Sequence, residues 1–217
     1  MKRTLFALLA AAALLGGTTV GAHAQESAAG PVSVRELLAR LPVAAESREG
    51  YERTKFKHWV DADKDGCNTR AEVLLDEAVV APERGANCKL TGGEWFSYYD
   101  DTTVDGPSGL DIDHMVPLAE AWDSGASQWD AKRREQYAND LDWPRSLAAV
   151  TAKANRSKSD QDPATWMPPA ADARCRYLDD WVSVKTRWNL SIDPAEQAAL
   201  TDIADSCPDD ELDVPLA

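Results

Sequence analysis

Basic residues are in short supply. There are 23 lysines and arginines against 37 aspartates and glutamates, a formal net charge of −14. Phosphate contacts need cations, so this balance argues against a high-affinity, sequence-specific DNA binder. A metal-dependent nuclease is still allowed, because its cations offset charge locally, but its substrate affinity should be weak and salt-sensitive. Histidine is scarcer still, with three in the whole chain, and no CxxC occurs, so the spacing does not resemble a zinc site. Past the amino terminus no apolar run is long enough to cross a bilayer, and no internal repeat is present.

The chain begins with a leader. Lys2 and Arg3 precede an apolar run from Leu5 to Leu15, and Ala22-His23-Ala24 supplies a small-x-small cleavage site. Residues 1–24 therefore read as a secretory signal peptide. Its removal takes away two cations and no acid. The mature chain is expected to be secreted and extracellular, without a membrane partner, and is taken as a monomer. Residues 25–50 read as a flexible lead and an N-terminal helix, and residues 51–217 as one domain around one core.

Four cysteines remain after cleavage: Cys67, Cys88, Cys175 and Cys207. An even count in an exported chain favours two disulfides. Three pairings are open to the sequence. The local one, Cys67–Cys88 with Cys175–Cys207, closes loops of modest length and is the expected one.

The order of elements predicts an α+β fold, mostly helical. Helical spacing is read over 34–44, ended near Pro42, and again over YERTKFKHWV at 51–60. RAEVLLDEAVV at 70–80 reads as a helix or short strand, and LTGGEWFSYYDD at 90–101 as a turn and a strand. DIDHMVPL and SLAAVTA (146–152) read as strands. The segment 119–140 between them reads as loop and helix. Helices are then expected over KANRSKSD, over 174–190, and after Pro194. Trp122, Trp129, Trp166, Trp181 and Trp188 fall at apolar helical positions and are expected in the core. His58 is read as structural.

Two stretches carry metal-type chemistry. In DADKDGCNTRAE (61–72), Asp61, Asp63, Asp65, Gly66 and Glu72 fall at positions one, three, five, six and twelve, the spacing of an EF-hand loop for Ca²⁺. Position seven is Cys67 and position eight is Asn68, where such a loop usually carries an apolar residue. The competing reading is a disulfide-tethered acidic turn, with Asp65 and Asn68 bonding locally and Glu72 starting a helix.

The second stretch runs from Asp113-His114, at the end of the first strand, through Asn139 to Asn155, which opens the NRSKSD helix. Phosphodiester hydrolysis needs an imidazole to take a proton from water. It also needs a divalent ion to neutralise charge on the phosphate and the departing oxygen. A carboxylate and an amide are hard oxygen donors suited to Mg²⁺ or Mn²⁺. Adjacent side chains on a strand point to opposite faces, so the strand end has to twist for Asp113 and His114 to share a site.

DIDHMVPLAEAWDSGASQW, ANDLDWP, NRSKSDQDPATW and the helix of Cys175 resemble the HNH, or ββα-metal, nuclease motif. Over roughly residues 58–207 the chain is similar to secreted actinobacterial HNH endonuclease-family proteins. These belong with the C-terminal domain of GmrSD-type restriction endonucleases. The resemblance implies an endonuclease acting on DNA, and RNA as a further substrate, with low sequence specificity. It makes His114 the general base, and Asp113 and Asn155 the holders of one divalent ion. Asn139 becomes the middle Asn that orients the histidine through the backbone of the first strand. Arg156 and Lys158 are candidates to contact phosphate. Proteins of this kind carry a similar DGC-x-TR-x-EVL stretch, in which Arg70 or Glu72 would face the cleft. The alternative, from a different class, is an extracellular calcium-binding protein around an inactive nuclease-like core.

Overall fold

The computed structural model describes residues 30–217, so the leader and residues 25–29 lie outside it. The elements in chain order are β1 (Val32–Ser33), α1 (Val34–Arg40), α2 (Thr69–Asp76), β2 (Glu83–Arg84), β3 (Leu90–Thr91), β4 (Glu94–Ser97), β5 (Thr102–Asp105), β6 (Leu110–His114), α3 (Leu118–Asp123), α4 (Ala131–Ala138), β7 (Leu147–Thr151), α5 (Ala152–Lys158), α6 (Ala173–Trp188), α7 (Pro194–Ser206) and β8 (Glu211–Leu212). Each sheet is a two-stranded antiparallel pair, and the fold is α+β with more residues in helices than in strands. β1 pairs with β8, and α1 packs on α6 and α7, so the helix at the start of the described chain is built into the main body.

The centre is the antiparallel pair β6–β7, in register with Ile112 opposite Ala149, Asp113 opposite Ala148 and His114 opposite Leu147. Alternation of side chains gives this pair two different faces. Leu110, Ile112, Leu147 and Ala149 join Val73, Leu74 and Trp95 in a small core beneath α2. Ala148 and Val150 face the larger core instead, with Ala154 of α5 and the fully buried Tyr177 and Trp181 of α6. α5 follows β7 directly: Thr151 caps it by accepting from the N–H of Ala154 at 3.1 Å. Strand, strand and helix thus form the ββα unit expected from the sequence. Both disulfides have the expected pairing, Cys67–Cys88 and Cys175–Cys207.

The segment 51–60 departs from its predicted helix. Only a 3₁₀ turn forms, at Arg53–Lys55, and Trp59 takes a left-handed φ of 59°. Asn139 supplies the reason. Its Nδ2 donates to the carbonyl of Lys57 at 2.8 Å, and its Oδ1 accepts from the N–H of Val60 at 3.0 Å. Backbone groups that a helix would pair internally are satisfied across the fold instead. The segment 119–140 holds two short helices, α3 and α4, rather than one. Trp122, Trp181 and Trp188 are buried, while Trp129 and Trp166 are half-buried against the same core. The His58 ring bonds its neighbour's backbone, Nδ1 to the Phe56 carbonyl at 3.0 Å.

Glu77, just past α2, accepts from the N–H of Ala149 on β7 at 2.9 Å, and burial raises its carboxyl to about 7. The raised pKa means that the folded state holds a proton the unfolded chain gives up. This contribution is complete below pH 4.5 and is lost as pH rises through about 7. Glu77→Gln keeps an acceptor and removes the charge. It should raise Tm at pH 8 by roughly 2–4 °C and leave Tm at pH 4 unchanged, as read by thermal unfolding across pH. An equal shift at both pH values would contradict this assignment.

Candidate active site

The end of β6 opens into a cleft of about 280 Å³ bordered by Asp113, His114, Asn155, Arg156, Asp160 and Arg53. Asp113 and His114 keep the opposite faces that strand alternation dictates. They share the site because His114 is the last residue of β6 and the cleft wraps around the strand end.

His114 is buried, and its Nε2 lies 2.9 Å from the carbonyl oxygen of Ala138. A carbonyl only accepts, so Nε2 carries the hydrogen and Nδ1 keeps its lone pair. Burial pulls the ring's pKa down to about 3, against the pull of the Ala138 carbonyl, so the imidazole is neutral at physiological pH. Trp59 covers the ring at 5.4 Å between centroids and Tyr137 stacks at 6.5 Å.

Asp113 is almost wholly enclosed. Its Oδ2 accepts from the hydroxyl of Tyr99 at 2.5 Å and from the ammonium of Lys158. Lys158 is fully buried and also donates to the carbonyls of His114 at 3.1 Å and Met115 at 2.7 Å. Burial pushes the carboxyl of Asp113 up and the ammonium of Lys158 down. Three acceptors around one nitrogen need its three protons, which holds the lysine charged. Lys158 therefore does not reach a phosphate. It ties the last turn of α5 to the end of β6.

Asn155 borders the cleft, and its Nδ2 donates to Asp111 at 3.3 Å. That bond leaves the amide oxygen as the free donor atom. The remaining oxygen of Asp113 and the amide oxygen of Asn155 are hard donors beside open space, a set that fits a small divalent cation. Arg156 is exposed and pairs with the same Asp111 at 3.2 Å, so it stands at the rim. Asn139 lies elsewhere. It is saturated by Lys57, Val60, Glu135 and Thr69, and the histidine is oriented by the carbonyl of the residue before it, not through the first strand by Asn139 itself.

Several participants were not singled out in the sequence. Asp111 stands two residues before Asp113 on the same face of β6, and that period of two was its signal. Tyr99 and Arg53 had no such signal, because they arrive from segments with no fixed spacing to the motif.

The acidic loop converges as well. Carboxylate oxygens of Asp61, Asp63 and Asp65 come together, and those of Asp65 and Glu72 meet beside Cys67, whose sulfur is committed to its disulfide. Local bonds already engage them. Asp65 accepts from the N–H of Cys67 at 2.7 Å and from Arg84 at 2.9 Å, Asp61 accepts from the N–H of Gly66, and Asn68 caps α2. Arg70 bonds the carbonyl of Leu110 at 2.8 Å and Glu72 borders a different cavity, so neither faces the cleft.

A family model described as "GmrSD restriction endonucleases, C-terminal domain" matches residues 52–203. The chain belongs to this family. It is also 38% identical over 208 residues to an "Uncharacterized secreted protein" of the fungus Arthroderma benhamiae, covering 95% of this chain and 100% of that one. This relative is fungal, and the expected likeness to actinobacterial proteins finds no support in it. No solved structure matches. The fold is thus nuclease-like. Two disulfides and the secreted relative identify the chain as a secreted protein, and no described helix is long and apolar enough to cross a membrane.

Lys158→Met would leave Asp113 buried without its counter-charge, which typically costs about 3–5 kcal/mol. Arg156→Ala, on an exposed side chain, should stay within about 0.5 kcal/mol. Urea unfolding of the two variants measures the difference, and equal losses would contradict a structural role for Lys158.

Proposed function

We propose that this protein is a metal-dependent endonuclease that hydrolyses phosphodiester bonds of DNA, and of RNA, with low sequence specificity. The observation that carries the reading is the His114–Ala138 bond, which leaves a neutral imidazole with a free Nδ1 in the cleft. In this reading Nδ1 accepts the proton of the attacking water. An anionic phosphate beside the ring raises its basicity above the value set by burial. Asp113 and Asn155 would hold Mg²⁺ or Mn²⁺, which when bound neutralises charge on the phosphate and the leaving oxygen. Tyr99 and Lys158 fix the Asp113 carboxylate on one oxygen, so the other keeps its position. Arg53 and Arg156 stand at the rim, where they can position phosphate, and Arg156 exchanges Asp111 for that contact.

A calcium role for 61–72 is a separate, accessory reading. It is supported by the convergence of Asp61, Asp63 and Asp65. Arg84 on Asp65, and the lack of a helix leading into the loop among the described residues, weigh against it.

The test is plasmid cleavage by the oxidised mature chain with Mg²⁺, Mn²⁺ or EDTA. Nicking or linearisation is expected with either metal and none with EDTA, and His114→Ala should lower the rate at least about 100-fold. Undiminished cleavage by His114→Ala would overturn the mechanism. No cleavage with any metal would overturn the function.

A further inference from the structure

The cations of this acidic chain are not spread evenly. Six of its 23 lysines and arginines fall in two short segments, Arg53, Lys55 and Lys57 in one and Lys132, Arg133 and Arg134 in the other. Glu52, Asp130 and Glu135 are the acids among them. The fold brings the two segments together. Arg134 on α4 donates through Nε to the carbonyl of Lys55 at 3.3 Å, and Lys57 pairs with Glu135 at 3.2 Å. Arg53 borders the cleft, and the chain runs from there along α4, where Asn139 holds the backbone of Lys57 and Val60. A groove of about 430 Å³ opens beside this segment, bordered by Val60, Lys132, Arg133, Gln136 and Trp188. Of the acids at its edge, Asp140 is tied to Arg187 and Glu135 to Lys57, which leaves Asp142.

Two of these cations are free. Lys132 is exposed, and neither it nor Arg133 has an ion-pair partner among the described residues. The Arg133 guanidinium lies over the rings of Trp129 at 4.9 Å and Trp188 at 5.5 Å, and its Nε is shut off from solvent without an acceptor. Stacking of this kind fixes the guanidinium plane and leaves its outer N–H groups to bond an oxyanion. Carboxylates outnumber cations in the chain, yet none pairs with this arginine. Arg134 plays a different part: it spends its donors on the carbonyls of Lys55, Ala126 and Trp129, and so fastens α4 to the turn. The Lys57 side chain is 68% exposed, so its pair with Glu135 is weak and open to exchange.

We propose that residues 53–57 and the groove along α4 form a track for the sugar–phosphate backbone of a nucleic acid whose scissile bond lies in the cleft, with Lys132 and Arg133 as its far phosphate contacts. The inference rests on the nuclease reading of the cleft and extends it to a surface beyond the reacting group. His114 is bonded to the carbonyl of Ala138 at the end of α4, and Lys132 stands six residues back, about 9 Å along the helix axis. A duplex advances about 3.4 Å per base step, so phosphates two or three steps from the cut come level with Lys132. Contacts of this kind position the strand and carry no sequence information. The acidic remainder of the surface repels phosphate, which leaves this track as the favoured approach. Continuity with the cleft selects nucleic acid over an acidic peptide as the occupant.

Fluorescence anisotropy with a labelled DNA duplex, on the oxidised mature chain in EDTA, reads binding without turnover. Wild type should bind with a steep salt dependence. Lys132→Gln, on an exposed side chain, should lower the slope of log K against log salt by about 1, and Lys132→Gln with Arg133→Gln by about 2. The double variant should also bind at least about tenfold more weakly at low salt. Lys89→Gln with Arg174→Gln removes the same charge from exposed residues outside the two segments, and should leave affinity within about twofold once salt screens distant charges. No binding by wild type would overturn the proposal, as would unchanged binding by Lys132→Gln and the double variant. So would an equal loss in the Lys89 and Arg174 control, or displacement of the duplex by polyglutamate as readily as by unlabelled DNA. A chain that binds through Lys132 and Arg133 yet cuts no plasmid with any metal would contradict the nuclease reading and leave the track standing.

Discussion

The structure of the site depends on one buried ion pair, Lys158 with Asp113. Two charges enclosed at this depth are expensive to desolvate, and the cost is offset by the hydrogen bonds that surround the ammonium and one oxygen of the carboxylate. Tyr99 adds a second donor to Asp113, and the carbonyls of His114 and Met115 take the other protons of the ammonium. The pair joins α5 to the end of β6, so it sets how far Asn155 lies from Asp113. It also holds the backbone of His114 from beneath. Asp113, Asn155 and His114 are therefore positioned by one contact that is itself sealed from the cleft.

The second constraint comes from the long connection between β6 and β7. α4 ends at Ala138, and the carbonyl there fixes which nitrogen of His114 carries hydrogen. Asn139, one residue on, fastens the 57–60 segment, and that segment lays Trp59 over the ring. The histidine is thus made neutral by burial and given its tautomer by a backbone group.

Much of this was legible in sequence, and the parts that were not share a cause. β6, β7 and α5 follow from local pattern: the alternation in DIDHMVPL, the short apolar run SLAAVTA, and the helix read over KANRSKSD. The disulfide pairing is the local one favoured among three open to the sequence. Where a residue's partners lie far along the chain, pattern gives nothing. Lys158 looks like a solvated helix residue until α5 is folded onto β6, and 51–60 looks helical until Asn139 takes up its carbonyls. Asn139 itself matches a motif letter, yet its four hydrogen bonds serve the neighbouring segment. Asp111 was within reach, because a carboxylate two residues before Asp113 must share its face.

The account rests on His114 presenting an unprotonated Nδ1 to the cleft. Nitrogen-15 NMR of the imidazole in the folded mature chain at neutral pH reads this directly. The structure predicts a neutral ring with hydrogen on Nε2 and a free Nδ1. An imidazolium, or a ring with hydrogen on Nδ1, would contradict it.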